Sequence, residues 1–232
     1  MTDALEIDRV SSGYGEAIVL RGVSLAVSAG SVLAVLGKNG MGKTTLLKTV
    51  MGFLPPREGH IRVRGEDVTG IRPDRLSSRA VTYSPQDQAI FGELTVEENL
   101  RLGVPRRRLF AAGLERVAAF FPVLAQRRSQ TAGTLSGGEQ KMLIMARALM
   151  GKPALMLVDE ITEGLQPSVI ARLADVLRAQ RAEGTAILLI EQNIGFALDV
   201  ADHYAVLARG EIVARGEAEA SAASRIADHL AV

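Results

Sequence analysis

The chain has 232 residues, 47% of them hydrophobic and 23% charged, with 27 Lys+Arg set against 26 Asp+Glu, three His and no Cys. A chain of this length buries a sizeable core as one globular unit, and the missing cysteines exclude disulfides, thiolate metal sites and cysteine nucleophiles, which is compatible with a reducing compartment. A formal net charge of +1 leaves no surplus cation to drive binding to nucleic acid or anionic lipid, and the clusters Arg106-Arg107-Arg108 and Arg127-Arg128 are expected to be solvated surface.

The opening residues Met1-Thr2-Asp3-Ala4-Leu5-Glu6 have neither the basic n-region nor the apolar h-region of a secretory signal. No apolar run approaches the roughly 18 residues that span a bilayer, so a membrane role would come through a partner. Val23, Leu25 and Val27 alternate onto one face of a strand, as do Ile61 and Val63, which suits antiparallel strands with one wet face. Ser31 to Leu36 is a nearly continuous apolar run ending at glycine, and Thr44 to Met51 reads as a helix closed by Gly52 and Pro55-Pro56.

After Val81-Thr82-Tyr83 the pattern turns helical. Thr95 with Glu98 forms a capping box, Leu109 to Phe121 reads as a helix stopped by Pro122, and a second box, Ser136 with Glu139, opens a helix running to about Met150. Residues 87–151 therefore read as a helical insertion. Strand and helix alternation then resumes: Leu155 to Val158, a helix with Val169, Ile170, Leu173 and Leu177 on one face and Gly184 as its stop, and Ala186 to Ile190. Tyr204 to Leu207 and Glu211 to Ala214 flank Arg209-Gly210 as a hairpin, and an Ala-rich helix follows. The pattern is an α/β core, 1–86 and 152–232, with an antiparallel β subdomain and one helical interruption.

Gly37-Lys38-Asn39-Gly40-Met41-Gly42-Lys43-Thr44 satisfies the P-loop pattern G-x-x-x-x-G-K-[ST] between a strand and a helix, and Thr45 continues into that helix. Glycines at these places let consecutive backbone N–H groups wrap phosphates, with the helix N-terminus behind them; Lys43 reaches the β- and γ-phosphates and Thr44 can ligate Mg²⁺. Leu155-Met156-Leu157-Val158-Asp159-Glu160 ends a buried strand in two carboxylates, where an acid that organises the metal belongs. Asp159 is the candidate for the metal, through water, and Glu160 for orienting and deprotonating the attacking water. Leu135-Ser136-Gly137-Gly138-Glu139-Gln140 places two glycines at a capped helix N-terminus, a second phosphate-binding surface that a single nucleotide on the same chain does not need.

These motifs, in this order and over essentially the whole chain, resemble the ATP-binding-cassette (ABC) ATPases, with residues 135–140 matching the family signature. The resemblance implies a P-loop NTPase fold with a RecA-like core, ATP and Mg²⁺ as cofactors, and closure of Ser136 and Gly138 over ATP held by another subunit. It also gives Tyr14, in Ser12-Gly13-Tyr14-Gly15, the role of stacking on adenine. Gln86 becomes the residue that senses the metal and the γ-phosphate at the entry to the helical insertion. Three positions depart from the family pattern. Ile161 replaces a proline, Thr162-Glu163-Gly164-Leu165-Gln166-Pro167 lacks an aspartate, and Gln192 stands where most members carry a histidine at the γ-phosphate. A glutamine donates from its amide but neither carries charge nor titrates.

Glu191-Gln192-Asn193, Thr95-Val96-Glu97-Glu98-Asn99-Leu100 and a short chain with no C-terminal regulatory domain resemble the ATPases of importers for branched-chain amino acids and amides, and residues 162–167 lean towards the urea and short-chain amide members. This implies a peripheral subunit on the cytoplasmic face of the inner membrane. Its partners would be a second cassette, different or identical, two permeases and an extracytoplasmic binding protein, with no nucleic acid. Lipid- or lipopolysaccharide-export cassettes share every motif except the histidine. A soluble cofactor-assembly cassette is the other rival, and a silent regulatory cassette is opposed by the intact Lys43, Asp159 and Glu160.

Overall fold

A computed structural model describes residues 3–86, 90–104 and 106–231. Two long strands, β1 (Asp3–Tyr14) and β2 (Ala17–Ser28), pair antiparallel, and β1 also pairs antiparallel with β4 (Glu58–Val63), which pairs with β5 (Glu66–Asp67). This four-stranded sheet has the order β2-β1-β4-β5. The alternation read at Val23, Leu25, Val27, Ile61 and Val63 is its buried face, which also takes Leu5, Ile7 and Val10 from β1.

The second sheet has the order β10-β9-β3-β8-β7-β6, from β3 (Val32–Leu36), β6 (Val81–Ser84), β7 (Leu155–Asp159), β8 (Ala186–Glu191), β9 (His203–Ala208) and β10 (Glu211–Glu217). The five strands from β9 to β6 are parallel, and β10 is an antiparallel edge. Side chains alternate between two cores with the period of two that a strand imposes. Met156, Val158, Ile187 and Leu189 face one, whereas Leu155, Leu157, Leu188 and Ile190 face the other. Both faces are covered, which is why these strands read as unbroken apolar runs.

Helix α1 (Lys43–Val50) follows β3, and α2 (Pro73–Ser77) precedes β6. Between β6 and β7 lie α3 (Val96–Arg101), α4 (Phe110–Phe120), α5 (Pro122–Gln126) and α6 (Gly137–Leu149), whose apolar residues share one core with β7, β8 and α7 (Pro167–Ala182). α8 (Ile194–Val200) and α9 (Ala222–Ala231) complete the chain. The expected insertion 87–151 begins on residues outside the described ones.

Two expectations gain detail. The helix read from Leu109 to Phe121 is α4, preceded by a 3-10 turn at Arg107–Leu109; it stops before Pro122 as read, and Pro122 then opens α5, since proline at the first helical position lacks only an N–H that would have no intrahelical partner there. Arg127 and Arg128 are exposed, as expected, and also form surface ion pairs: Arg127 Nη1 lies 2.9 Å from Glu139 Oε1, and Arg128 pairs with Glu97, which Arg101 also contacts. Neighbouring arginines thus tie the first turn of α6 and the first turn of α3 to the segment between α5 and α6.

Candidate functional site

The order β3-β8-β7-β6 brings four marked segments side by side, because each follows the carboxyl end of one of four adjacent parallel strands about 4.8 Å apart. The P-loop follows β3, Gln192 follows β8, Asp159-Glu160 ends β7 and Gln86 follows β6. None of these neighbours is close in sequence.

In the P-loop, Gly40 and Gly42 have φ of 79° and 104°, a region that L side chains avoid, and Gly42 is the N-cap of α1. Gly37 has another reason to be glycine: a Cβ there would stand 2.6 Å from the Leu207 carbonyl oxygen of β9. Lys38, Asn39 and Gly40 are exposed, Met41 is half-buried, and Lys43 and Thr45 are buried. Lys43 Nζ donates to the Lys38 carbonyl at 2.9 Å, bending the side chain back over the loop. Gly37→Ala is therefore expected to weaken ATP binding by distorting this loop, which nucleotide titration of the purified variant checks.

Glu160 is the hub. It is 4% exposed, its Oε1 lies 3.0 Å from Lys43 Nζ, and its Oε2 accepts from Gln192 Nε2 at 2.8 Å and from Gln86 Nε2 at 3.0 Å. Its backbone sits at φ 44°, an uncommon conformation for a side chain of this size, costing about 1 kcal/mol. The Gln192 amide nitrogen also reaches Asn39 Oδ1 at 2.8 Å, so P-loop, β7 and β8 meet on one carboxamide. Gln86 donates further to Glu163 Oε2 at 2.7 Å, and its carbonyl accepts from Lys141 on α6, which links this cluster to the signature helix.

Asp159 lies beside the hub, and its Oδ2 accepts from Tyr83 Oη at 3.3 Å. Burial, and then the negative charge of Glu160, push its carboxyl up to about 6, against the Tyr83 and Thr44 hydroxyls and Lys43. Its Oδ1 is buried without a hydrogen-bond partner. An orphaned carboxylate oxygen near the Thr44 hydroxyl is an oxygen donor set that fits a hard divalent cation such as Mg²⁺, whose charge would hold Asp159 ionised. With Asp159, Glu160 and Glu163 gathered here, a polyphosphate needs such a cation as well as Lys43.

Tyr14 is 47% exposed at the end of β1, with Lys48 Nζ of α1 lying 6.0 Å from its ring centroid, so the ring stands beside the P-loop helix. The signature segment is elsewhere on the chain; among the described residues no hydrogen bond or ion pair joins it to the P-loop. Ser136 N-caps α6 with both arms of the box present: Ser136 Oγ accepts from Glu139 N at 3.4 Å, and Ser136 N donates to Glu139 Oε2 at 3.0 Å. Leu135 is buried, Glu139 is spent on the cap and on Arg127, and Gln140 Nε2 donates to the Leu135 carbonyl at 3.1 Å.

The two signature glycines differ. A Cβ at Gly138 would stand 3.2 Å from Val169 Cγ2, a packing constraint, whereas a Cβ at Gly137 meets nothing within 4 Å. Ser136 and Gly137 are exposed, which leaves them available to a second molecule. Ser136→Ala is expected to cost about 1 kcal/mol through loss of the cap, read as a lower denaturant midpoint at unchanged slope.

Sequence reading gives no site role to Glu163, Lys141, Tyr83 and Thr162: residues 162–167 are read only for their family likeness, and nothing in the local pattern marks Tyr83 or Lys141. Their signal is tertiary: each contacts a marked residue or its neighbour from another element.

A sequence profile described as ABC transporter matches residues 20–163. The high-affinity branched-chain amino acid transport ATP-binding protein BraG of Pseudomonas aeruginosa is 39% identical over 211 residues, covering 90% of this chain and 91% of that protein. A probable branched-chain amino acid transport ATP-binding protein, LivF of Archaeoglobus fulgidus, is 33% identical, with 90% of each chain covered. Among solved structures, the ADP conformation of an ATP-binding cassette of an ABC transporter superposes with a TM-score of 0.88 at 27% identity, covering 100% of this chain and 98% of that one.

Proposed function

This chain belongs to the ABC transporter family, as an ATP-binding subunit that hydrolyses ATP bound with Mg²⁺ and works with transmembrane permeases, and we propose that it energises an importer for branched-chain amino acids or for urea and short-chain amides. The observation that carries the reading is the Gln192 carboxamide held between Asn39 and Glu160 at the ends of adjacent strands. A group in that position meets both the phosphate-wrapping loop and the carboxylate proposed to activate water. The names of the P. aeruginosa and A. fulgidus relatives support amino acids as cargo; residues 162–167 support amides.

In this reading residues 37–45 wrap the phosphates and Tyr14 stacks on adenine. Lys43 neutralises the β- and γ-phosphates. Thr44, Asp159 and Gln86 would hold Mg²⁺, which would supply positive charge to offset that of the polyphosphate. Glu160 orients and deprotonates the attacking water, and Gln192 fixes the γ-phosphate by a neutral hydrogen bond. One P-loop and one exposed signature edge per chain call for a second cassette whose ATP residues 135–140 cover. Glu139 and Gln140 act there by holding the Ser136 loop.

No helix among the described residues is long and apolar enough to cross a membrane. We place the permease contact in a groove of about 600 Å³ next to β6, lined by Phe53, Tyr83, Phe91, Leu102 and Arg147. Phe53, Phe91 and Leu102 are each more than half exposed, a cluster of apolar surface that suits a short amphipathic permease segment at the cytoplasmic face of the inner membrane. Because β6 leads directly to Gln86, a load on this groove reaches the ATP site through Gln86 and Lys141.

The test is purification of tagged Glu160→Gln, with ATP, from detergent-solubilised native membranes, followed by mass spectrometry. Two permeases and a second cassette, with uptake of leucine or urea lost when the chain is deleted, support the importer. A soluble partner, or none, overturns it in favour of a cofactor-assembly cassette.

A further inference from the structure

Glu191 ends β8 next to Gln192 and is 1% exposed. Its Oε2 accepts from Thr162 Oγ1 at 2.9 Å and from the Gln192 backbone N–H at 3.3 Å, while Oε1 is buried with no partner. Burial pushes its carboxyl up, opposed by the Thr162 hydroxyl and by backbone N–H groups of Asn193, Gln192 and Thr162. A buried carboxyl with an orphaned oxygen is costly, and an apolar side chain would fill this place at less expense. What the acid provides instead is a junction. Thr162 lies two residues beyond Glu160, and Gln192 is the next residue along from Glu191, so one carboxyl ties the segment after Glu160 to the segment that carries the Gln192 amide.

We propose that Glu191 is a positioning residue for hydrolysis: by clamping the Gln192 backbone to the Thr162 segment it fixes the Gln192 carboxamide against Glu160 Oε2 and Asn39 Oδ1. This rests on the reading that Gln192 and Glu160 act on the same ATP. Without the clamp the two loops move independently, and a misplacement of the order of 1 Å at a reacting group costs up to about 100-fold in rate. Nucleotide affinity is set mainly by the P-loop on β3 and α1, which Glu191 does not touch through any side-chain hydrogen bond, so the loss falls on kcat rather than on binding.

MgATP hydrolysis and nucleotide affinity of the purified full chain are measured for Glu191→Ala, Glu191→Gln, Thr162→Val, Gln192→Ala and the double variant Glu191→Ala/Gln192→Ala. Glu191→Ala is expected to lower kcat about tenfold or more with affinity within about threefold. Glu191→Gln restores most of the rate, because its carboxamide oxygen accepts the same two bonds. The double variant is no slower than Gln192→Ala, as for groups acting through one another. A normal rate in Glu191→Ala beside a slowed Gln192→Ala overturns the positioning role alone, as do losses that simply multiply in the double variant. A normal rate in Gln192→Ala overturns the catalytic reading of Gln192 together with this one. Thr162→Val removes only the hydroxyl arm and decides the matter if Glu191→Ala does not fold: a lowered kcat at unchanged affinity supports the clamp, and an unchanged kcat overturns it.

Discussion

Glu160→Gln is expected to bind ATP and to hydrolyse it at least ~100-fold more slowly than the parent chain. The side chain is buried, within 3.0 Å of Lys43 Nζ and of both glutamine amides, and glutamine reproduces its shape and one acceptor oxygen. What is lost is the ability to take a proton from water. Binding survives and should tighten, because Lys43 no longer shares its charge with a buried carboxylate when phosphates compete for it. The measurements are phosphate release and an ATP-dependent shift to a dimer on size exclusion. Parental turnover in this variant would remove Glu160 from the role of base.

Lys43→Ala should abolish ATP binding and, unusually for a ligand-binding lysine, also destabilise the fold. Lys43 and Glu160 are each about 4% exposed and form an ion pair, so removing the cation leaves a buried carboxylate without its counter-charge, a loss of about 3 kcal/mol. Denaturant unfolding without nucleotide reads this directly. Glu160→Gln in the Lys43→Ala background should restore most of the stability while leaving ATP binding absent, since the unpaired charge has gone but the phosphate partner has not returned. A Lys43→Ala chain as stable as its parent would show that the pair contributes nothing to folding.

The two variants separate what one side chain does for the fold from what it does for the ligand. The same division runs through the glycines. Gly40 and Gly42 are demanded by positive φ, Gly37 and Gly138 by close neighbours on β9 and α7, and Gly137 by neither. A one-letter motif presents all five alike.

Local sequence determined a great deal about this protein. The apolar runs marked β3, β7 and β8, the capping residues marked α3 and α6, and the turn Arg209-Gly210 marked the β9–β10 hairpin, because strand period, caps and turns act over a few residues. The P-loop, Asp159-Glu160 and residues 135–140 were legible for the same reason, and their order along the chain identified the family. What only the tertiary structure decided is which of these groups touch. Asn39 meets Gln192 across 153 positions and Gln86 meets Glu160 across 74, because β8 is inserted between β3 and β7 and β6 lies beyond β7. Strand order is set by helix packing on both faces of the sheet and leaves no local mark. For that reason Glu191, an ordinary acid at the end of an apolar run, carries no visible role until Thr162 is found against it.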